Sequence, residues 1–338
     1  MSAVRATHEH GLQLVAAPPR QAPHQGEVLI RNIYVASNPK DWKLSEWNLF
    51  EGIEGSDVAG IVEAVGHGVA DLRHGDRVIA CTPSATSDRC GAYQPFSIAP
   101  EHLVARIPPA LSLEEAATLP LCFATASVAV HGVLRVAVSH QTRPKILVNG
   151  VGSSIGFYAA QLARHAGLDV HAIVRSAFSA AKARAAGIDN VYIFDDDVLQ
   201  LELARLDFAY AFDAVSTPAT VRWLCGVLAT SASCTFSVLA GGVLDDVAAL
   251  ARANCPPHVD VRTTNAGATS QTPDSPYAET VRHWLSQAGA LVLAGKIQTQ
   301  PRQVLAGGLA RVPDGLCLLR EGRAGSKKLV YQVGSVHG

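Results

Sequence analysis

The chain of 338 residues is close to neutral, with 28 basic and 29 acidic side chains and a formal net charge of -1. It therefore has no basic field to attract nucleic acid, and hydrophobic residues at 48% against 17% charged residues exclude an intrinsically disordered chain. Because a single hydrophobic core stops growing near about 250–300 residues, two domains are expected.

No window of the sequence reaches the roughly 18 apolar residues of a membrane span, and residues 1–13 lack an apolar run of signal-peptide length. The sequence therefore predicts a cytoplasmic protein with no membrane partner. Its cysteines are odd in number and include no C-x-x-C pair, which indicates reduced thiols and argues against a disulfide scaffold. They are Cys81, Cys90, Cys122, Cys225, Cys234, Cys255 and Cys317.

Short β-rich runs alternate with glycine turns from Glu27 to about Ile107, which predicts a small β-rich domain. Its strands are predicted at residues 28–35, 58–66 and 76–80. Ser112 followed by two glutamates is typical of a helix start, and residues 124–134 continue with helical spacing. Helices therefore follow the β-rich segment.

From Lys145 the pattern becomes strand, glycine turn, helix and strand, which predicts a parallel sheet flanked by helices. Helices are predicted to end at Gly167 and Gly187. Strands are predicted at residues 145–149, 170–174, 191–194, 208–215, 233–239 and 259–264. The fold class is therefore α/β with a doubly wound parallel sheet of about six strands. A polar connector at 271–276 precedes a helix at 277–295, and a final strand at 328–333 is expected to return to the first domain.

Three glycines, Gly150, Gly152 and Gly156, follow the first of these strands and open a helix. Their G-x-G-x-x-x-G spacing differs by one residue from the usual dinucleotide fingerprint, so a purely structural turn is the alternative. The strand before and the helix after it favour a pyrophosphate site, since glycines let backbone N–H groups approach the phosphates. The expected contacts at this turn and at other strand ends are Asn149, Gly150, Gly152, Ser153, Ser154, Ile155, Val215, Ser237 and Leu239.

The end of the second strand of this unit decides the choice of cofactor. NAD-binding units place a carboxylate there to accept the ribose 2′-OH, and residues 174–177 contain none. Arg175, Ser176 and Lys182 instead offer donors to a 2′-phosphate, although Lys182 also fits a solvated helix position. The sequence therefore predicts NADPH.

Several motifs together resemble the medium-chain dehydrogenase/reductase superfamily over nearly the whole chain. They are N-P-x-D-x-K at residues 38–43, the glycine turns at 55–60 and 75–78, Ala-Ala-Thr-Leu-Pro at 116–120 and Thr125-Ala126. The resemblance implies a GroES-like catalytic domain at residues 1–125, a Rossmann cofactor domain at 126–268 and a return to the catalytic domain at 269–338.

Zinc alcohol dehydrogenases of this superfamily carry Gly-His-Glu where this chain has Gly55-Ser56-Asp57, and they place a catalytic cysteine in the region of residues 38–43. Both ligands are missing here, as are the four closely spaced cysteines of a structural zinc site. The histidines are explained by solvated or core positions. No metal is predicted.

The nearest resemblance, through residues 318–330, is to quinone-oxidoreductase-like enzymes and to fungal trans-acting enoyl reductases that serve polyketide synthases. It implies NADPH-dependent, zinc-independent reduction of an α,β-unsaturated carbonyl, as a small molecule or an acyl thioester, in polyketide or other specialised metabolism with a synthase as partner. It places Lys43 and Thr125 at the nicotinamide and substrate, and Asn38 and Pro39 at the cofactor.

Residues 121–123 depart from that family, because Leu-Cys-Phe replaces a smaller alanine-glycine run. The pocket beside the nicotinamide is therefore expected to be bulkier, which leaves the substrate open. Quinone or free-enone reduction on the same fold is one alternative. A non-redox cyclase or binding protein that keeps the NADPH site is the other, because fold does not fix function.

Overall fold

The computed structural model describes residues 1–136, 143–194, 196–240, 246–265 and 273–335. The chain divides into two compact units. The first contains Met1–Ala124, Thr269–Gly295 and Thr299–Gly338, and the second contains Thr125–Ala268 and Lys296–Gln298. The predicted domain boundary at 268/269 and the start of the predicted connector at 271–272 lie outside the described residues.

The regular elements are numbered here in chain order. The strands are β1 (Ser2–Thr7), β2 (Gly11–Ala16), β3 (Glu27–Ala36), β4 (Gly52–Ile53), β5 (Asp57–Val65), β6 (Arg77–Cys81), β7 (Phe96–Pro100), β8 (Val104–Arg106), β9 (Lys145–Asn149), β10 (Asp169–Val174), β11 (Asn190–Ile193), β12 (Phe208–Asp213), β13 (Cys234–Leu239), β14 (Val259–Thr264), β15 (Arg302–Val304) and β16 (Lys328–Gln332). The helices are α1 (Pro39–Glu46), α2 (Leu113–Ala116), α3 (Pro120–Ser127), α4 (Ser154–His165), α5 (Ala177–Ala185), α6 (Asp196–Leu203), α7 (Pro218–Leu228), α8 (Val247–Asn254), α9 (Ala278–Leu293) and α10 (Val312–Arg320).

The first unit is built on a mixed sheet in the order β15-β16-β3-β5-β6-β8, with β7 paired to β3 beside this path. Strand β3 is central because it pairs antiparallel with β5, β7 and β16. Its aliphatic side chains, such as Val28 and Ile30, are fully buried in the core of this unit together with Val58 and Val78 from the neighbouring strands. The predicted return of the last strand to the first domain is confirmed by the pairing of β16 with β3.

The second unit is a parallel sheet in the order β11-β10-β9-β12-β13-β14. Numbered within the unit, this order is 3-2-1-4-5-6, which places the topological switch point between β9 and β12. Helix α4 buries Ala159 and Leu162, together with Phe157, against the sheet side of this unit's core. Gly167 and Gly187 take left-handed conformations just after α4 and α5, at φ +91° and +80°. The predicted doubly wound sheet is confirmed.

Two local expectations differ from the structure. Residues 124–134 are not one α-helix, because α3 is followed by a π-helix at Val128–Val133. Cys225 and Cys255 form a disulfide between α7 and the end of α8, so the expectation of seven reduced thiols is wrong for this pair. Their 30-residue separation resembles no short cysteine motif, and the two residues meet because α7 and α8 pack on the same sheet. Among the helices of the described ranges, none is long and apolar enough to cross a membrane.

Candidate dinucleotide site and buried polar cluster

The glycine turn after β9 has the close packing that its sequence predicts. Gly150 has a φ of +82°, and a Cβ there would lie 2.5 Å from Cγ2 of Val215. A Cβ on Gly156 would lie 2.3 Å from the carbonyl oxygen of Gly150. The turn is also fixed to the neighbouring strand, since the N–H groups of Gly150 and Val151 both donate to the Ile173 carbonyl, at 3.0 and 3.1 Å. Larger residues would have to move this backbone.

Helix α4 begins directly beyond the turn with a serine cap. The Ser153 hydroxyl accepts the N–H of Gly156 at 3.1 Å. Gly152, Ser154 and Ile155 are half-buried around this start. The first-turn amides of a helix have no acceptor within the helix and carry a partial positive charge. The turn therefore fits the pyrophosphate of a dinucleotide.

The ends of β9 and β12 are joined by a buried carboxylate that the sequence reasoning missed. Asn149 donates through Nδ2 to Oδ1 of Asp213 at 2.8 Å, and Thr220 donates to Oδ2 at 2.6 Å. The Val215 N–H also donates to this carboxylate, at 3.0 Å. Burial raises the pKa of Asp213, and these hydrogen bonds oppose that rise. Asn149 thus holds the switch point together, and the sequence signal for its partner is an aspartate at the end of an otherwise apolar strand.

The other predicted strand-end residues differ in their surroundings. Leu239 ends β13, and its N–H donates to the Ser216 hydroxyl at 2.7 Å. Ser237 lies within β13, where its fully buried hydroxyl is 2.7 Å from that of Thr264. Ser237 therefore serves the sheet itself, and its role as a cofactor contact stays a prediction.

The predicted 2′-phosphate residues follow β10. Arg175 and Ser176 are exposed, and the Ser176 hydroxyl caps α5 by accepting the Ser179 N–H at 3.2 Å. Lys182 is only 8% exposed; its ammonium donates to the Gly152 carbonyl at 3.0 Å and lies 4.5 Å from the centre of the Phe157 ring. Burial lowers the pKa of Lys182 to about 8. Lys182 therefore contacts the glycine turn directly.

In the first unit, the residues of the N-P-x-D-x-K segment form the start of α1. Pro39 is the exposed first residue of the helix, a position that proline favours. Lys43 is half-buried, with its ammonium 5.5 Å from the centre of the Trp47 ring and 5.8 Å from that of Trp42. The two tryptophans thus flank Lys43 and give it cation–π contacts.

Asn38, just before α1, belongs to a buried polar cluster whose central cation the sequence reasoning missed. Lys328, 3% exposed at its side chain, lies 2.6 Å from Oδ2 of Asp57 and donates to Oδ1 of Asn38 at 2.5 Å. Asn38 donates to the same Asp57 oxygen at 2.8 Å. The Leu121 N–H donates to the other Asp57 oxygen at 2.6 Å, and Cys122 donates through Sγ to Asn38 at 3.2 Å. Burial alone would lower the pKa of Lys328, but the Asp57 carboxylate raises it above its ordinary range.

A second buried network also includes a residue of the first turn of α1, Asp41. The Tyr93 hydroxyl donates to Oδ2 of Asp41 at 2.6 Å and lies 2.9 Å from the Ser37 hydroxyl, which donates to Tyr331 at 2.9 Å. Nearby Glu54 is fully buried, and a backbone hydrogen bond from Gly55 favours its carboxylate. Burial raises the pKa of Glu54 to about 8, although the Lys40 ammonium opposes the rise.

Thr125, the other predicted catalytic residue, lies in α3 three positions after Cys122 and is 4% exposed. Each unit thus holds part of the predicted set. Asn38, Pro39 and Lys43 are in the first, and Thr125 with the residues of the glycine turn and strand ends is in the second. Within the described part of the chain, no three histidine, cysteine or acidic side chains gather closely enough to hold a metal ion.

Comparison with known proteins places this geometry in a family. Residues 24–109 match the alcohol dehydrogenase GroES-like domain. A zinc-type alcohol dehydrogenase-like protein of Schizosaccharomyces pombe is 33% identical over 65% of this chain and 67% of its own length. A trans-enoyl reductase of Aspergillus japonicus is 29% identical over 91% of this chain and 90% of its own length.

Solved structures agree with this assignment. A crystal structure named for a zinc-dependent alcohol dehydrogenase of Rhizobium etli is 25% identical and superimposes with a TM-score of 0.84, covering 99% of this chain and 98% of that one. A GroES-like first domain and a doubly wound nicotinamide-dinucleotide domain are the two parts of such enzymes. The chain therefore belongs to the medium-chain dehydrogenase/reductase superfamily of nicotinamide-dependent oxidoreductases.

Proposed function

We propose that this protein is a cytoplasmic, NADPH-dependent and zinc-independent reductase of a C=C bond conjugated to a carbonyl group. The buried cluster of Asn38, Asp57 and Lys328 carries this proposal. It places the Asn38 amide and the Asp57 carboxylate in the segments where zinc alcohol dehydrogenases present their metal ligands, and the Lys328 ammonium that contacts both would repel a divalent cation. A chain without a Lewis acid suits conjugate reduction, in which hydrogen-bond donors stabilise an enolate.

The dinucleotide would be held by the second unit, Thr125–Ala268 with Lys296–Gln298, which we propose as the cofactor domain. Gly150 and Gly156 leave room for its pyrophosphate, and Arg175 with Ser176 offers donors for a 2′-phosphate at a strand end without a carboxylate. Lys182 lies against the same turn and adds positive charge below about pH 8. These features favour NADPH over NADH.

Bound NADPH supplies a hydride for the β-carbon of the substrate. The chain's own residues would then stabilise the negative charge that develops on the carbonyl oxygen. Lys43 is our candidate donor, with backbone N–H groups beside it, and Trp42 and Trp47 form apolar walls around its ammonium. Thr125 is assigned to positioning the carboxamide or the substrate. The α-carbon receives its proton from Lys43 or from solvent.

An assay with three substrate classes tests the reaction. Purified protein is given NADPH with an acyl-thioester enone, a free enone or a quinone, and cofactor oxidation is followed by absorbance. The thioester should be reduced fastest, since full-length similarity to a trans-enoyl reductase favours a substrate carried by a polyketide synthase. If a quinone or a free enone is reduced fastest, the alternative function, quinone or free-enone reduction on the same fold, is favoured. Binding of NADPH without oxidation by any substrate would select a cyclase or binding protein.

Single replacements test the choice of cofactor. Arg175→Ala and Lys182→Ala should weaken NADPH binding by about tenfold or more and leave NADH binding nearly unchanged. Arg222→Ala, at an exposed position on α7 of the same unit, is the matched control. Equal losses for the two dinucleotides would contradict the assignment of the 2′-phosphate.

Metal analysis tests zinc independence directly. The purified enzyme should contain far less than one zinc per chain, and its activity should survive incubation with a strong chelator. Stoichiometric zinc whose removal abolishes the activity would refute this part of the proposal.

A further inference from the structure

We infer that Lys328 is a positioning residue for the reaction, because its ammonium fixes the start of α1, which carries Lys43, and the first turn of α3. This inference rests on the function proposed above. It concerns a residue at the start of the last strand, 285 positions after Lys43 in the sequence. Lys328 itself is too deeply buried to touch a substrate.

The first step is the geometry at α1. The side-chain carbonyl of Asn38 accepts the Lys328 ammonium, and its amide donates to Asp57. Both ends of the Asn38 side chain are therefore held, and the backbone N–H of the same residue donates to Oδ2 of Asp41 at 2.9 Å in the first turn of the helix. These contacts at Asn38 set the orientation of α1, and they thereby set the position of Lys43 further along the helix.

The second step is the geometry at α3. The Leu121 N–H, in the first turn of this helix, donates to the Asp57 carboxylate at 2.6 Å. The next residue, Cys122, donates to Asn38 and lies 3.6 Å from the Lys328 nitrogen. The same ion pair therefore anchors the first turn of α3.

The third step concerns charge. Asp57 is fully buried and Lys328 nearly so, and each is the other's ion-pair partner at 2.6 Å. A buried carboxylate left without its cation attracts water, which would alter the hydrogen bonds that Asp57 accepts from Asn38 and Leu121. A surface lysine would have no such influence. Lys328 thus compensates the charge of Asp57, and Asp57 holds both helices.

The test uses a neutral pair so that folding is preserved. Lys328→Met alone leaves Asp57 as an unpaired buried charge and is expected to fold poorly. The double variant Lys328→Met/Asp57→Asn removes both charges and keeps an acceptor for the Leu121 N–H. The matched control is Arg89→Met/Glu27→Gln, which removes a half-buried ion pair at 2.9 Å between β3 and the loop before β7 in the same unit.

The Lys328/Asp57 double variant should lose about 100-fold in kcat, the size expected for a misplacement of about 1 Å, while its NADPH dissociation constant stays within about threefold of the wild type. The control should keep its kcat. An unchanged kcat in the first variant, or equal losses in both, would overturn the inference, since a purely stabilising role would affect both pairs alike.

A second readout does not depend on activity. Hydrogen exchange of the backbone at residues 39–46, and the fluorescence of Trp42 and Trp47, report the order of α1 directly. Faster exchange confined to the Lys328/Asp57 variant would support the positioning role even if no enone were reduced, in which case the proposed function alone would fail. Wild-type exchange over α1 in this variant would overturn the inference whatever the substrate.

Discussion

Replacing Glu54 with glutamine removes an acid whose ionisation the fold opposes. Glu54 is fully buried, and burial raises its pKa from an ordinary 4.5 to about 8. The pKa of Glu54 is thus higher in the folded protein than in the unfolded chain. The folded protein is therefore most stable below the unfolded-state pKa, and this stability is lost as the pH rises through the folded-state pKa. Glutamine resembles the neutral acid in shape and has no such pH dependence.

The expected size follows from these two values. Each pH unit between them costs about 1.4 kcal/mol, so the wild type should lose about 3 kcal/mol of unfolding free energy by pH 7 and about 4 kcal/mol by pH 8, relative to low pH. Glu54→Gln should be close to the wild type near pH 5 and more stable by up to about 4 kcal/mol at pH 8. Solvent does not screen this carboxylate, since the side chain is not exposed.

Urea unfolding at several pH values between about 5 and 8 measures the difference. Glu202→Gln, at an exposed position on α6, is the control and should follow the wild type at every pH. Parallel pH curves for wild type and Glu54→Gln would refute the reasoning, because they would mean that Glu54 is already ionised in the folded protein at neutral pH.

Three further predictions concern the second unit. Gly156→Ala should weaken NADPH binding by about tenfold or more in a fluorescence titration, because its Cβ would meet the Gly150 carbonyl at 2.3 Å. Cys225→Ser should lower the free energy of unfolding by about 3–4 kcal/mol through loss of a 30-residue loop closure, and a reductant should destabilise the wild type to the same level. The affinity for NADPH should fall as the pH rises through about 8, where Lys182 loses its charge, and Lys182→Met should remove that dependence.

Each of these has a contradicting result. Gly226→Ala is the control for the turn, because the three atoms nearest its Cβ would all belong to the flexible end of the Gln200 side chain, and an equal loss of NADPH affinity there would contradict the argument. If a reductant does not change the free energy of unfolding of the wild type, the Cys225 disulfide contributes nothing to its stability. If the NADPH affinity does not change as the pH passes 8, the charge of Lys182 does not contribute to binding the 2′-phosphate.

The sheet of the second unit was predictable from sequence because each strand is a short apolar run bounded by glycines or polar turns. The predicted bounds of β9 and β14 coincide with those in the structure. The continuation beyond Ala124 was predicted as one helix, because an apolar run fits an α-helix and a π-helix equally well.

The candidate site was less predictable, because its decisive contacts join distant segments. Lys327 and Lys328 together resemble a solvated basic pair. Lys328 is nevertheless buried, because it contacts Asp57 and Asn38, the latter 290 positions away in the sequence. No local pattern encodes that meeting. The contact of Lys182 with Gly152 is equally hard to predict from sequence, since it depends on how α5 packs beside the glycine turn.

The pairing of β16 with β3 also has a consequence for synthesis on the ribosome. Strand β3 is complete by residue 36, but one of its partners, β16, begins only at Lys328, so this edge of β3 stays unpaired until that residue has emerged. The second unit is almost contiguous in sequence and can form earlier. Until the last strand arrives, Asp57 has no cation beside it and one edge of β3 lacks its partner, which is when this protein should most need a chaperone.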